Sequence, residues 1–89
     1  MKIEFAKSLS GHDRNQIYLI LKDEERSVQL VNGTTRPLAA PKRKNRRHIQ
    51  RIINIPAEAA ECLAGEWTDI TVKRAIKVYR RMTESGGNH

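Results

Sequence analysis

Sulfur and aromatic rings are scarce: the chain has one cysteine, one tryptophan, two tyrosines and one phenylalanine. A lone Cys62 closes no internal disulfide, which suits a reducing, cytoplasmic setting. Four aromatics are too few for a sheet that reads bases by stacking. Tyr18 and Trp67 are therefore expected in the core, and Cys62 in a helix interface. No apolar run approaches the ~20 residues that span a bilayer. Met1–Ala6 holds no apolar h-region of a signal peptide, so no membrane contact is expected. His12, His48 and His89 are far apart and, with Cys62, lack the spacing of a zinc site. There is no phosphate-cradling glycine loop, no nucleophile elbow and no pair of carboxylates in an apolar setting. A binding role is expected rather than catalysis, without metal or cofactor.

Acid is the other shortage. The chain of 89 residues holds ten Asp and Glu against seventeen Lys and Arg, a net charge of +7. Between Glu25 and Glu58 there is no carboxylate at all. That gap contains Pro41-Lys42-Arg43-Lys44-Asn45-Arg46-Arg47-His48-Ile49-Gln50-Arg51, with six cationic side chains in eleven residues. Such a run repels itself until an anion neutralises it, and a nucleic-acid backbone is the obvious polyanion. A second basic segment follows at Lys73, Arg74, Lys77, Arg80 and Arg81. A cationic helix face near a C-terminus also complements the helix dipole, so this segment has a structural reading of equal weight.

The patterning is that of one small domain, β-rich first and helical later. Lys2–Leu9 alternates and predicts a strand. Ser10–Asn15 has loop composition. Gln16–Lys22, with Ile17-Tyr18-Leu19-Ile20-Leu21, predicts a buried strand, and Ser27–Val31 a third. Asn32-Gly33 is a hairpin signal of the type I′ kind, with Thr34–Arg36 as a short fourth strand ended by Pro37. Leu38–Arg47 is expected to be a basic loop, and His48–Asn54 the last strand. Five short strands with tight turns suggest a small antiparallel barrel. Pro56 opens a helix over Ala57–Ala64 with Gly65 as its stop. Thr68 or Asp69 caps a second helix from Ile70 to about Met82, whose Val72, Ala75, Ile76 and Tyr79 form one apolar stripe.

The run Ser8-Leu9-Ser10-Gly11-His12-Asp13-Arg14-Asn15-Gln16, then an apolar strand, Val31-Asn32-Gly33, Pro41-Lys42-Arg43-Lys44 and His48-Ile49-Gln50 resembles a KOW domain. It is similar to the small bacterial KOW RNA-binding proteins and to a KOW-containing large-subunit ribosomal protein family of eukaryotes and archaea. The resemblance covers residues 5–53. It departs from the family pattern at His12, Asn15 and Gln16, where arginine, glycine and lysine are usual. Asparagine is the next-best residue for a left-handed turn, so the loop can survive Asn15.

The resemblance implies a mainly β fold: a five-stranded antiparallel SH3-like (KOW) barrel over residues 1–54. Two C-terminal α-helices would follow in an extension over 55–83, with a disordered tail at 84–89. It implies an RNA-binding protein, ribosome-associated, that contacts structured ribosomal RNA through the basic loop. The expected RNA-binding residues are Arg14, Asn15, Arg36, Lys42, Arg43, Lys44, Arg46, Arg47, His48 and Arg51. Recognition would be by shape and backbone rather than base sequence. Charge reversal at Arg43, Lys44, Arg46 and Arg47 is expected to weaken binding and leave the fold intact. Asp13 with Arg14 reads as a structural pair. The alternative is a protein–protein module that docks on ribosomal proteins or the transcription machinery, and duplex DNA shares the electrostatics. Oligomeric state is open.

Overall fold

Phe5–Ser8 (β1), Ile17–Asp23 (β2) and Ser27–Val31 (β3) are the apolar strands. They form the middle of one antiparallel sheet, as their β-branched and aliphatic content requires. A computed structural model describes residues 2–86, with side chains as far as Thr83. The sheet has five strands in the order β4-β3-β2-β1-β5, where β4 is Lys42–Asn45 and β5 is Ile49–Ile52. β4 and β5 are its two edges, so the sheet is open rather than closed by a ladder into a barrel. Two helices follow, α1 (Ala57–Glu61) and α2 (Asp69–Gly86).

Both faces of the sheet are buried, but differently. The outer face carries Phe5, Leu19 and Val31, which pack with Ala59 and Leu63 of the α1 region and Val72, Ala75 and Ile76 of α2. The expected stripe on α2 is therefore the contact stripe. Tyr79 completes it with an edge-to-face contact to Phe5, ring centroids 5.2 Å apart. The inner face carries Ala6, Tyr18, Ile20, Val28, Leu30 and Ile49 as a second buried cluster, which no helix joins. Six such residues lose their water without a covering layer only if the sheet curls over them. Each fully buried aliphatic side chain contributes ~1.5–3 kcal/mol.

Register explains which polar residues share the inner face. Lys42 stands opposite Leu30 and Lys44 opposite Val28, so both lysines point inward, while Arg43 and Asn45 point outward. A bulge at Leu21 shifts the β2–β3 register, so that Asp23 rather than Lys22 stands opposite Val28. The bulge re-aims an acid onto the inner face, where Arg51, opposite Ala6, also lies.

Three local expectations are corrected. First, Thr34–Arg36 is not a strand and Asn32-Gly33 is not a two-residue hairpin. The Asn32 side chain accepts from the Thr34 and Arg36 amides, both at 2.9 Å, which ties up the donors a ladder would use. Only Gly33 of the pair has a positive φ, +80°. The turn presses onto the start of α2, and the Leu38 amide donates to Asp69 at 2.8 Å. Second, the fourth strand comes from the run expected to be a loop: Lys42–Asn45 pairs with β3, and Arg46–His48 makes one 3₁₀ turn. Third, α1 ends at Glu61 and continues through Ala64 by i→i−3 hydrogen bonds. Gly65 has no left-handed conformation and does not act as the stop.

α2 starts with a reciprocal cap: the Thr71 amide donates to Thr68 Oγ1 at 3.1 Å, and the Thr68 amide to Thr71 Oγ1 at 2.8 Å. The pattern is that of a capping box, with threonine in the place of the usual Glu or Gln. The helix runs through Gly86, into the segment expected as tail; residues 87–89 lie outside the described residues. Cys62 and Trp67 are half-buried against the outer-face core.

Candidate nucleic-acid interface

The β1–β2 loop, residues 9–16, is built around Asp13. Gly11 and Asn15 both take positive φ, +84° and +73°, which lets the loop fold back so that the Asn15 amide donates to the Ser8 carbonyl at 2.8 Å. Asparagine thus holds the left-handed position as expected. The fold turns Asp13 inward, where its carboxylate accepts from Ser8 Oγ (2.9 Å), Tyr18 OH (2.8 Å), Lys42 Nζ (2.8 Å) and Lys44 Nζ (3.0 Å). Lys44 Nζ also donates to the Ser10 carbonyl at 3.0 Å. Burial alone would push this carboxyl up, but the hydrogen bonds from Lys42, Tyr18, Lys44 and Ser8 outweigh it and hold the group well below the usual range. Burial and the Asp13 hydrogen bond push the Tyr18 hydroxyl up to about 12.

A second network spans the inner face. Arg51 donates to Glu4, with its Nη2 atom 2.7 Å from Oε1, and also to Asp23, which pairs in turn with Arg46. The Arg46 Nε donates to the Glu24 carbonyl at 3.1 Å. On the outer side, Arg43 pairs with the Glu24 carboxylate, Nε to Oε1 at 3.2 Å. Hydrogen bonds from Arg51 hold the Asp23 carboxyl below its ordinary value.

The basic run is therefore two populations. Lys42, Arg43, Lys44, Arg46 and Arg51 are each engaged with a carboxylate: Glu4 just before β1, Asp23 in β2, or Asp13 and Glu24 in the loops at the ends of β2. Arg14, Arg36 and Arg47 are exposed and have no ion-pair partner among the described residues, and His48 is exposed beside Arg47. Asp13 pairs with Lys42 and Lys44 rather than with Arg14. Charge reversal at Arg43, Lys44 and Arg46 would break internal pairs, so it would not leave the fold untouched.

The exposed set borders the β1–β2 loop. Arg14 and Asn15 lie in it. The Leu9 amide donates to the His48 carbonyl at 2.8 Å, which holds the 3₁₀ turn beside the loop. Arg36 shares a hollow of about 270 Å³ with His12, Asp13, Gln16, Tyr18 and Lys42. The sequence signal for Asp13 as organiser was present only as an acid in a basic neighbourhood; its two lysine partners lie about thirty residues away and follow from the fold. Among the described residues no group of three His, Cys, Asp or Glu could hold a metal ion, and no helix is long and apolar enough to cross a membrane. The chain matches no family model and no curated protein sequence.

Proposed function

We propose that this chain is an RNA-binding protein of the KOW type, ribosome-associated, whose curled five-stranded sheet is an SH3-like barrel. It would grip the phosphate backbone of structured ribosomal RNA with the surface around the β1–β2 loop. The observation that carries this reading is the division of charge. Glu4, Asp13, Asp23 and Glu24 are consumed by internal pairs. Arg14, Arg36 and Arg47 remain outward and unpaired by any described carboxylate. A surface so arranged projects positive potential. Guanidinium groups meet phosphates in bidentate geometry. Lys42, Arg43, Lys44, Arg46 and Arg51 then serve the site by fixing the framework under it, with Asn15 and His48 at its edge. The strand order, with the two edge strands flanking a curled inner core, is compatible with the barrel reading.

The test is binding of a short structured RNA hairpin against salt concentration, with duplex DNA of equal length alongside. Arg14→Gln, Arg36→Gln and Arg47→Gln together should flatten the slope of log K against log salt by about 2–3, since each lost phosphate contact removes about 0.7–0.9. The fold should be unaffected, because none of the three has an ion-pair partner among the described residues. A wild-type protein that binds neither nucleic acid would sink the proposal and turn the search to a protein partner.

A further inference from the structure

α2 crosses the outer face of the sheet over Phe5, Leu19 and Val31, and beyond them its stretch from Lys73 to Thr83 is flanked by open space. Two hollows, of about 400 and 570 Å³, meet there at Ile17 and Arg80. The floor of the first is the outer-face end of three strands, with Lys7, Ile17 and Gln50. The wall of the second is α2, with Lys73, Lys77 and Arg81. No carboxylate lines either hollow among the described residues, although the chain holds ten acids. The remaining polar lining is amide and hydroxyl, such as Asn15, Gln16 and Thr34.

We infer that this groove is a second phosphodiester-binding surface, which takes a strand of the same RNA as it leaves the β1–β2 loop. The inference rests on the RNA-binding reading above and extends it to a different face. Three features carry it. Gln16 lines both the second hollow and the hollow that holds Arg36, so the two basic surfaces adjoin, and the carboxylate that lines the latter, Asp13, is already paired with Lys42 and Lys44. Lys73, Lys77 and Arg81 recur every four residues on one face of α2, about 12 Å from first to last at 1.5 Å per residue. One strand of a duplex presents about three phosphates over that length. Lys7 lies on the opposite side, on β1, so the strand would be held between sheet and helix. The floor is a mixture of apolar and amide groups and would accept sugar and base edges without sequence preference. An α2 whose charges only complemented its own dipole would need no cation on β1 and no cleft that lacks an acid among the described residues.

The experiment compares Lys73→Gln/Lys77→Gln/Arg81→Gln with the wild-type chain on the same RNA hairpin, over a salt series. All three residues are exposed, and glutamine is a comparable helix former, so folding is preserved and checked by circular dichroism. Arg74→Gln, exposed on the same helix but outside the groove, is the control for generic charge. The groove predicts at least about a tenfold loss of affinity and a slope smaller by about 2–3 for the triple variant, with Arg74→Gln near wild type. An unchanged triple variant, in a wild-type background that binds, overturns the groove and leaves the RNA-binding reading standing. A slope loss per charge as large for Arg74→Gln also overturns it. Failure of the wild-type chain to bind the hairpin removes both.

Discussion

Asp13→Asn keeps the shape of the side chain and removes the one charge that balances two lysines under the β1–β2 loop. The side chains of Asp13 and Lys44 are 12% and 10% exposed, and that of Lys42 is 26% exposed. Removal of one partner from a fully buried pair costs about 3–5 kcal/mol. Water at the Lys42 end screens part of that, so a loss of about 2–3 kcal/mol is expected here. In a domain of this size each kcal/mol moves the melting temperature by about 4–8 °C, so the midpoint should fall by about 10–20 °C. The pH dependence gives an independent readout. A carboxyl held below its ordinary value of 3.8 contributes stability that is complete above that value and is lost as the pH falls further. Asp13→Asn lacks that contribution, so its deficit should be full at neutral pH and shrink in acid. Urea unfolding followed by circular dichroism, at neutral pH and through an acid series, measures both. Addition of Lys44→Met should restore part of the loss, since it removes the stranded ammonium. In Asp13→Asn the Tyr18 hydroxyl should also titrate lower, from about 12 toward its ordinary 10.0. Equal urea midpoints at neutral pH, or a deficit that does not change in acid, would refute the argument.

Three glycine-related substitutions test the loops. Gly33→Ala should cost about 2–4 kcal/mol, from the left-handed backbone and overpacking together, because a Cβ there would sit 2.3 Å from the Asp69 carbonyl oxygen. Gly65→Ala, where a Cβ meets nothing within 4 Å, should change the thermal midpoint little, within about 0.5 kcal/mol. Equal effects at the two positions would show that the Asn32–Arg36 turn does not dock on α2 as described. Asn15→Gly should stabilise the fold by about 0.5 kcal/mol, since it relieves a side chain at φ +73°. A lower urea midpoint would mean that the asparagine side chain matters more than its backbone angle.

The β-rich core, the stripe on α2 and the positive balance of the chain were legible in the order of residues alone. Apolar alternation, a continuous β-branched and aromatic run and 3.6-residue periodicity are local properties, and β1, β2, β3, β5 and α2 each show one of them. The residue order also placed an asparagine where the β1–β2 loop needs a left-handed residue. What the basic run becomes depends on contacts made across the fold. Lys42–Asn45 has no apolar residue to mark it as a strand; it pairs with β3 because Asp13, distant in sequence, neutralises the two lysines that point inward. The bulge at Leu21 that brings Asp23 to Arg51 is likewise invisible in a one-dimensional pattern. Asn32-Gly33 misled for the same reason: its side chain closes a turn against α2, and the helix lies thirty-six residues downstream. Charge along a chain counts cations, whereas an interface is made by those that folding leaves unpaired. Of the cations in and around the basic run, Arg14, Arg36 and Arg47 are the ones left without an ion-pair partner among the described residues, rather than the whole of residues 42–51, because Coulomb pairing acts through space and not along the sequence.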